Sequence, residues 1–369
     1  MSPLSIRAKA TAIRGLSALP KPVRRLLSGP PLRIDGQELA LDAQLMLRIK
    51  NLSGSDVFTD PVEKARTRYE DLAGIISYES PEPVAVREVT IPAEHGDIPA
   101  TLYIPAGLPE PSGLLVYYHG GGFSVGSRIS HDPVARYLAT HGGVRVLSVE
   151  YRRAPEHRFP AAAEDAITAF EYAHRHATDL SADADRIAVG GDSAGGNLAA
   201  VTAQHAVRRG SAIPAFQLLM YPLADPSTRR PSRDLFAQSS TFTEKNLRWA
   251  LANYITPGTD MTDPRLSPLH GDVTGLPPAY IATAGFDPIR DDGEAYADKL
   301  RAGGIPVVLS RQADLPHAYF NFVGIGGRFA EAASEAAGAL RLGLAPKSPA
   351  TKSATQRGAG EFVGVGDIP

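Results

Sequence analysis

The sequence predicts an α/β protein in which one mostly parallel sheet is covered by helices on both faces. Apolar runs of strand length alternate with longer helical patterns between residues 86 and 309. Strands that alternate with helices form parallel sheets, because each crossover helix packs back onto a face of the sheet. The composition, with 43% hydrophobic and 21% charged residues, is ordinary for a globular protein. A chain of 369 residues can bury one large core and still carry a cap.

The first 34 residues carry basic side chains and no acidic residue. With apolar residues interleaved, such a segment can form a basic amphipathic helix that contacts a membrane or a lipid interface. We favour a loosely docked arm with solvated charges, because four prolines interrupt any long helix. The basic residues are Arg7, Lys9, Arg14, Lys21, Arg24, Arg25 and Arg33, and the prolines are Pro20, Pro22, Pro30 and Pro31.

Two helical patterns follow before any strand signal. Apolar residues repeat with a helical period over 41–52 and again over 62–76. Asp60 and Pro61 are a plausible N-cap and first residue for the second helix. Because both helices precede the sheet, we predict that residues 1–80 form an N-terminal arm and cap helices.

The core is predicted in two parts, 81–224 and 276–344, separated by an insertion at 225–275. The insertion contains a helix at 244–254 and follows a strand, where active-site lids are often built. The first two strands are close together and suit an antiparallel hairpin at the sheet edge. We read the Pro-, Ser- and Gly-rich tail, 345–369, as disordered. The predicted strands are 86–91, 98–104, 114–118, 144–149, 187–189, 215–220, 279–284 and 305–309, and the core helices are 133–140, 161–176, 194–209 and 291–302.

Charge and cysteine content exclude several functions. The formal net charge is −2, which gives no sign of a nucleic-acid partner. The chain has no cysteine, so disulfides, thiolate nucleophiles and Cys-ligated metal sites are excluded. We find no apolar run of membrane-spanning length and no signal-peptide core at the N-terminus, so a cytoplasmic protein is expected.

The strongest chemical motif is G-x-S-x-G at residues 191–195, where a short strand meets a helix. This pattern is typical of a nucleophile elbow, in which the serine stands on a sharp, strained turn. Ser193 is therefore the candidate nucleophile. A rival match surrounds Ser124 at residues 122–126, but six residues separate that motif from the next helix. Ser124 is predicted to lie on an open loop.

The loop around Ser124 suits another role. Three glycines, 120–122, follow the predicted third strand, and glycine lets backbone N–H groups turn inward. Loops of this kind in lipases and esterases form an oxyanion hole together with the N–H after the nucleophile. The predicted donors are Gly121, Gly122 and Ala194.

Ser193 needs a base, and the position of His317 favours it. His317 follows the final predicted strand, so it can reach over the carboxyl edge of the sheet. His205 lies twelve residues along the same helix as the serine, which is roughly 18 Å away by helical rise. His270 lies inside the insertion and is interpreted as a surface-loop residue.

A carboxylate should orient the base, and Asp287 is the best candidate. It lies just past a predicted strand, between Ser193 and His317 in the chain. Asp291 and Asp292 are better explained as the N-cap and a first-turn acid of the following helix.

These motifs together resemble the hormone-sensitive-lipase-like family of α/β-hydrolases. The resemblance rests on His119 to Phe123, Gly191 to Gly196, Asp287-Pro288 and His317, and on the stretch Y-R-R-A-P-E-H-R-F-P-A-A at 151–162. It implies an α/β-hydrolase fold with an eight-stranded sheet, a helical cap, and carboxylesterase activity on short- to medium-chain acyl esters without a cofactor or metal. Two departures are Arg153 in place of a usual Leu and Ala318 in place of a frequent Gly.

By the same resemblance, Ser193 is the nucleophile, His317 the base and Asp287 its orienting acid, while His119 and Asp192 brace the oxyanion hole. The partner is a small ester, and a homodimer is possible. An amidase or formamidase with the same triad is the alternative enzyme. Plant hormone receptors of this fold bind a small ligand but lack the triad histidine. The presence of His317 therefore argues against a receptor function. Candidate pocket residues, for each of which core packing is the more common explanation, are Phe123, Trp249, Tyr319, Phe242 and Leu247.

Overall fold

The computed structural model describes residues 2–54, 56–238 and 241–346 and is built around one eight-stranded sheet. A two-residue ribbon pair lies outside that sheet. The strands are β1 (Arg33–Ile34), β2 (Gln37–Glu38), β3 (Val84–Ile91), β4 (Ile98–Pro105), β5 (Ser112–Tyr118), β6 (Arg145–Val149), β7 (Ala182–Asp192), β8 (Gln217–Met220), β9 (Ala279–Phe286) and β10 (Val307–Pro316). The helices are α1 (Pro3–Ser17), α2 (Lys21–Ser28), α3 (Leu41–Ser53), α4 (Val62–Ile75), α5 (Asp132–Gly142), α6 (Ala161–Arg175), α7 (Ala194–Arg209), α8 (Pro231–Leu235), α9 (Glu244–Tyr254), α10 (Arg290–Ala302) and α11 (Gly327–Gly343).

The sheet is parallel except at one edge. Its strand order is β10-β9-β8-β7-β5-β6-β4-β3. β3 and β4 form the predicted antiparallel hairpin, and β4 also pairs antiparallel with β6. All pairings from β6 through β5, β7, β8 and β9 to β10 are parallel. The predicted mostly parallel sheet of eight strands is confirmed.

Helices cover both faces of this sheet, as the alternation predicted. Side chains of β5 show the arrangement, because Leu114, Val116 and Tyr118 belong to one core cluster while Leu115 and Tyr117 belong to the other. The first cluster includes the apolar residues of α6, α7 and α10. The second includes those of α5 and α11. A strand has a side-chain period of two, so successive residues reach opposite faces.

The carboxyl ends of the parallel strands position the chemistry. β7 ends at Asp192, directly before Ser193. β9 ends at Phe286 before Asp287, and β10 ends at Pro316 before His317. Ligand sites of open α/β sheets form at this edge, because parallel strands all end there.

The N-terminal arm is helical and docked, which corrects the prediction that it is only loosely docked. The predicted solvated charges are confirmed for five basic residues that are exposed, namely Arg7, Lys9, Arg14, Lys21 and Arg33. Helix α1 packs on α4, and α2 packs on α3. Arg14 donates to the carbonyl oxygen of Ser77 at 3.2 Å, and Arg24 forms an ion pair with Asp42. Three of the four prolines act as predicted, because α1 ends before Pro20 and α2 ends before residues 30 and 31. Pro22 instead lies in the first turn of α2, where proline is tolerated.

Two predicted helix starts differ by one residue. Helix α4 begins at Val62 with Pro61 as its N-cap, so Asp60 does not cap it and instead accepts a hydrogen bond from Trp249. Helix α10 begins at Arg290 with Ile289 as N-cap, which places both 291 and 292 in its first turn. Asp291 was therefore wrongly predicted as the cap, although an acid in the first turn still favours the helix dipole.

The insertion contains α8 and the predicted helix α9. Thr243 and Asn246 form a reciprocal capping box at the start of α9, with N···O distances of 2.9 and 3.3 Å. The predicted disordered tail lies outside the described residues from 347 onward. Within the described part of the chain, no helix combines the length and apolar character needed to cross a membrane.

Candidate active site

Ser193 lies on a strained turn between β7 and α7. Its φ is 56° and its ψ is −114°, which is unusual for a residue other than glycine. The flanking glycines make this turn possible: a Cβ at Gly191 or Gly195 would overlap the carbonyl oxygen of Tyr118 on the neighbouring strand. The small residues of the motif are therefore required by contact with β5, and the serine hydroxyl is held above the sheet.

Ser193, His317 and Asp287 form one hydrogen-bonded row. The Ser193 Oγ lies 3.0 Å from the His317 Nε2. The His317 Nδ1 lies 2.6 Å from the Asp287 Oδ2. All three side chains are buried. Since a carboxylate only accepts, the imidazole donates through Nδ1 to Asp287 and presents Nε2 to the serine.

The surroundings of Asp287 and His317 fix their orientation. The second carboxylate oxygen of Asp287 accepts a hydrogen bond from the Ile289 N–H at 2.9 Å. The Thr241 hydroxyl donates to the His317 carbonyl oxygen at 2.9 Å. The Phe242 ring lies over the imidazole with 4.6 Å between ring centroids. Both the insertion and the β9 loop therefore hold the histidine in place.

The glycine loop after β5 supplies backbone N–H donors at the cavity beside Ser193 and His317. Gly121 and Gly122 have φ values of 120° and 59°, which glycine adopts without strain. Among the described residues, neither of their N–H groups donates a hydrogen bond. Ala194 is the first residue of α7, so its N–H has no acceptor within the helix. Gly121 and Gly122 line the cavity that Ser193 and His317 also line.

Asp192 and His119 support this loop. The Asp192 Oδ1 accepts hydrogen bonds from the Gly120 N–H, at 2.9 Å, and from the Tyr117 hydroxyl. The His119 Nδ1 donates to the Gly120 carbonyl oxygen at 2.8 Å. Tyr151 donates to the His119 carbonyl oxygen at 2.7 Å, and burial lowers the pKa of His119 well below its ordinary value. Hydrogen bonds thus hold the loop at both the N–H and the carbonyl oxygen of Gly120.

His131 is a supporting residue that the sequence interpretation missed. Its Nε2 lies 3.5 Å from the Asp192 Oδ1, and both side chains are buried. Its Nδ1 lies 2.9 Å from the Ser130 Oγ. Burial by itself raises the pKa of Asp192, but His131, Tyr117 and the Gly120 N–H hold it below its ordinary value. In the sequence, the one signal for a supporting role of His131 was its position between the glycine loop and α5.

The rival serine and the rejected histidines lie elsewhere. Ser124 is fully buried, and its hydroxyl finds no hydrogen-bond partner among the described residues. His270 lies 3.3 Å from Asp225 within the insertion. His205 lies on α7. Ser193 is therefore the serine that the fold brings to His317.

A cavity of about 690 Å³ opens beside Ser193. Ala318, next to the histidine, also lines it with a φ of 62°, a backbone conformation that favours glycine. Helices α1, α3 and α4 and the insertion complete the wall. Its apolar residues include Ile13, Leu16, Met46, Ile49, Phe58, Leu72, Ile76, Val134, Phe242 and Phe322.

Among the proposed pocket aromatics, only Phe242 lines this cavity. Phe123 stacks on Tyr254 with centroids 3.9 Å apart, and Tyr319 packs edge-on against Tyr221 at 5.1 Å. Trp249 packs edge-on against Phe58, which does line the cavity. Leu247 is buried in the core. Aromatic character alone did not distinguish wall from core, because the contacts come from segments distant in sequence.

No group of three or more acidic or histidine side chains in the described ranges is arranged to hold a metal ion. The arrangement instead offers a serine beside a base, an acid behind the base and unpaired N–H donors. Such a set suits acyl transfer.

Comparisons with known proteins identify the family of the chain. A family model described as alpha/beta hydrolase fold matches residues 115–321. The carboxylic ester hydrolase LipN of Mycobacterium tuberculosis is 40% identical over 345 residues, 90% of each chain. An ethyl acetate hydrolase of Pseudomonas putida is 38% identical over 276 residues, which are 73% of this chain and 86% of that one.

A solved structure extends the likeness to three dimensions. The hyperthermophilic esterase from the archaeon Pyrobaculum calidifontis has a TM-score of 0.77 and 37% identity, and the match covers 82% of this chain and 98% of that one. The chain therefore belongs to the α/β-hydrolase fold family, among its hormone-sensitive-lipase-like carboxylesterases.

Proposed function

We propose that the protein hydrolyses short- to medium-chain acyl esters through Ser193, His317 and Asp287 and an acyl-enzyme intermediate. The observation that carries this proposal is the unbroken row of hydrogen bonds, 3.0 Å from serine to histidine and 2.6 Å from histidine to aspartate. The row ends at a mostly apolar cavity.

In the first step, the Ser193 Oγ attacks the ester carbonyl carbon while the His317 Nε2 takes the hydroxyl proton. The carbonyl oxygen becomes an oxyanion, which the N–H groups of Gly121, Gly122 and Ala194 stabilise. One such donor is typically worth about 3–4 kcal/mol in the transition state. The imidazolium then protonates the leaving alcohol oxygen as the bond from carbon to that oxygen breaks.

In the second step, water releases the acyl group. His317 takes a proton from the water as its oxygen attacks the acyl carbon, and a second oxyanion forms in the same hole. The imidazolium returns the proton to the Ser193 Oγ, and the carboxylic acid leaves. Asp287 accepts the hydrogen bond from the His317 Nδ1 and stabilises the imidazolium.

The hole depends on its supports. Asp192 and His119 hold Gly120 from its N–H and from its carbonyl oxygen, at 2.9 and 2.8 Å. Donors that are fixed before the reaction need no reorganisation when the charge develops. We assign both residues a supporting role.

The substrate range follows from the cavity and from the relatives. A volume of about 690 Å³ lies in the usual range for small-molecule pockets. The name of the Pseudomonas relative, ethyl acetate hydrolase, points to a short ester for that protein and supports short esters here. We propose that residues 1–80 and 225–275 together form the cap that sets the upper limit of chain length.

Labelling with an organophosphate tests the nucleophile. A dialkyl p-nitrophenyl phosphate should attach to Ser193, located by mass spectrometry of the digested protein, and should abolish activity in proportion. Ser124→Ala should label like the wild type. A label on Ser124, or no label at all, would contradict the proposal and would favour a binding protein of this fold.

Paired substrates distinguish the enzyme classes. A p-nitrophenyl ester series of increasing acyl length, together with the matching p-nitroanilides, should give the highest kcat/KM on short or medium esters. Faster cleavage of the anilides would support the amidase alternative, which the same three residues can catalyse. A maximum on long emulsified chains would instead indicate a lipase.

A further inference from the structure

Helix α2 faces solvent with its apolar side. Val23, Leu26 and Leu27 recur at the spacing of one helix face and are exposed, Leu26 by 82%. The basic residues Arg24 and Arg25 point the other way, into ion pairs with the cap. A helix on a soluble protein normally shows the opposite arrangement, with apolar residues inward.

The inward contacts of α2 are specific. Arg24 pairs with Asp42 on α3, and Arg25 donates to Gln44 at 3.1 Å and to Glu38 at 3.2 Å. These contacts fix the rotation of the helix. The leucines of α2 are therefore held outward by the arginines rather than by fraying of the chain.

Helix α1, which precedes α2 in the chain, also carries an exposed apolar and an exposed basic residue near its start. Leu4 is 80% exposed, and Arg7 is exposed one turn further along. The start of α2 adds exposed Lys21. We call the six residues Leu4, Arg7, Lys21, Val23, Leu26 and Leu27 the arm surface.

The charge of the arm surface favours an anionic lipid bilayer over a second copy of the chain as the partner that covers it. Residues 1–34 contain no acidic residue, and Arg7 and Lys21 stay exposed while Arg24 and Arg25 are paired. In a symmetric dimer the same surface meets itself, which would bring like charges together. An anionic lipid surface offers negative charge beside an apolar layer, which matches exposed leucines flanked by basic residues.

We propose that the arm surface docks on an anionic lipid bilayer, with Leu4, Leu26 and Leu27 entering the interface and Arg7 and Lys21 contacting lipid phosphates. The proposal goes beyond ester hydrolysis and does not depend on it.

Helix α1 connects the proposed docking with the cavity beside Ser193. Ala12, Ile13 and Leu16 of this helix line the cavity beside Ser193. The helix that contacts the bilayer is thus also a wall of the cavity, and an ester dissolved in the membrane would meet the protein on the side of α1.

Vesicle co-sedimentation tests the proposal. The full chain is mixed with vesicles of phosphatidylcholine alone, or of phosphatidylcholine with phosphatidylglycerol, at low and at high salt. Each basic residue near an anionic bilayer strengthens binding about fivefold, so we expect at least about tenfold more binding to the anionic vesicles. High salt should remove most of that difference.

Two variant pairs separate the apolar and charged contributions. Leu26→Ser with Leu27→Ser should weaken binding at least about tenfold. Val308→Ser with Leu342→Ser removes two exposed apolar side chains elsewhere, 61% and 77% exposed against 82% and 42% for Leu26 and Leu27, and should bind like the wild type. Arg7→Gln with Lys21→Gln should abolish the preference for anionic vesicles, whereas Lys245→Gln with Arg209→Gln should keep it. All variants should hydrolyse a soluble short ester at the wild-type rate, which shows that they fold.

Three outcomes would overturn the proposal. The first is a wild type that binds neither type of vesicle. The second is equal loss of binding in the Leu26/Leu27 and Val308/Leu342 variants. The third is a dimer that becomes a monomer only in the Leu26/Leu27 variant, measured by light scattering, because a second copy of the chain would then cover the surface.

Discussion

The carboxylate of Asp192, directly before the candidate nucleophile, accepts a hydrogen bond of 2.9 Å from the N–H of Gly120, directly before the glycines of the candidate oxyanion hole. The two loops that must meet around an oxyanion are therefore joined by one side chain. Their relative position does not depend on a bound substrate. Anything that moves Asp192 should change the rate of the chemical step more than the binding of the ester.

His131→Phe tests this connection. Loss of the imidazole removes the group 3.5 Å from the Asp192 Oδ1, so we expect kcat to fall about 10- to 100-fold while KM changes less than about threefold. Steady-state kinetics on a soluble ester measure both constants. His131→Gln keeps an N–H donor and should recover part of kcat.

A histidine within the helix that His131 caps provides the control. His141 of α5 stacks on Tyr137 and lies apart from Asp192, so His141→Phe should leave kcat unchanged. Equal loss in both variants would mean that the effect comes from α5 in general rather than from contact with Asp192.

Ser193→Ala removes the only serine in hydrogen-bond contact with His317 among the described residues. We expect kcat to fall by at least about 10⁴-fold, measured on a p-nitrophenyl ester. Ser124→Ala should retain activity within about twofold, because a buried hydroxyl without a partner contributes little. Near wild-type hydrolysis by Ser193→Ala would refute its role as nucleophile.

Arg66 of helix α4 links the stability of the fold to pH. It donates to both carboxylate oxygens of Glu156, at 2.8 and 2.7 Å, and to the Ser124 carbonyl oxygen at 2.9 Å. These hydrogen bonds lower the pKa of Glu156 from 4.5 to about 2. A lowered carboxyl pKa stabilises the fold above about pH 4.5, and that stabilisation is lost as the pH falls toward 2.

Glu156→Gln should therefore lower the melting temperature at pH 7 by about 1–2 °C, a small effect because Glu156 is half exposed. Its difference from the wild type should shrink as the pH falls from 4.5 to 2. Calorimetry at several pH values checks both points. Glu79→Gln alters an exposed pair with Arg14 and should match the wild type. A difference that stays constant with pH would contradict the assignment.

Gly195→Ala tests the packing beneath the serine. The added Cβ would overlap the Tyr118 carbonyl oxygen, a backbone atom of the neighbouring strand. We expect a loss of at least about 3 kcal/mol in the free energy of unfolding, measured with urea. Gly338→Ala, on α11 with open space around it, should gain about 0.5–1 kcal/mol. A stable Gly195→Ala protein would show that the turn can relax.

Phe242→Ala should shift the preferred ester toward longer acyl chains, because its ring is part of the cavity wall. We expect the ratio of kcat/KM for long over short p-nitrophenyl esters to rise about tenfold. Trp249→Ala removes a larger aromatic outside the wall and should leave the ratio unchanged. The test compares this ratio rather than the absolute rates, because loss of the ring beside His317 can slow the hydrolysis of all esters alike.

Much of the fold was predictable from local pattern. The β5 run 114–118 and the β7 run 187–189 were apolar at strand length, and their alternation with helices required a parallel sheet. Ser193, Asp287 and His317 each follow a predicted strand, so the sequence placed all three at the carboxyl edge of the sheet. Helix starts at 61 and 291 were wrong by one residue, because the cap depends on contacts that sequence spacing does not show.

The sequence by itself determined the sheet, the strained serine turn and the residues that meet around it, because strand period and glycine spacing are local properties. Only the tertiary structure decided which aromatics form the cavity wall, that His131 lies against Asp192, and that α2 holds its arginines inward. Each of these depends on contacts between segments far apart in the chain. The basic arm shows the difference best, since its composition suggested either solvated charge or a lipid interface, and the ion pairs of Arg24 and Arg25 now fix which side faces outward.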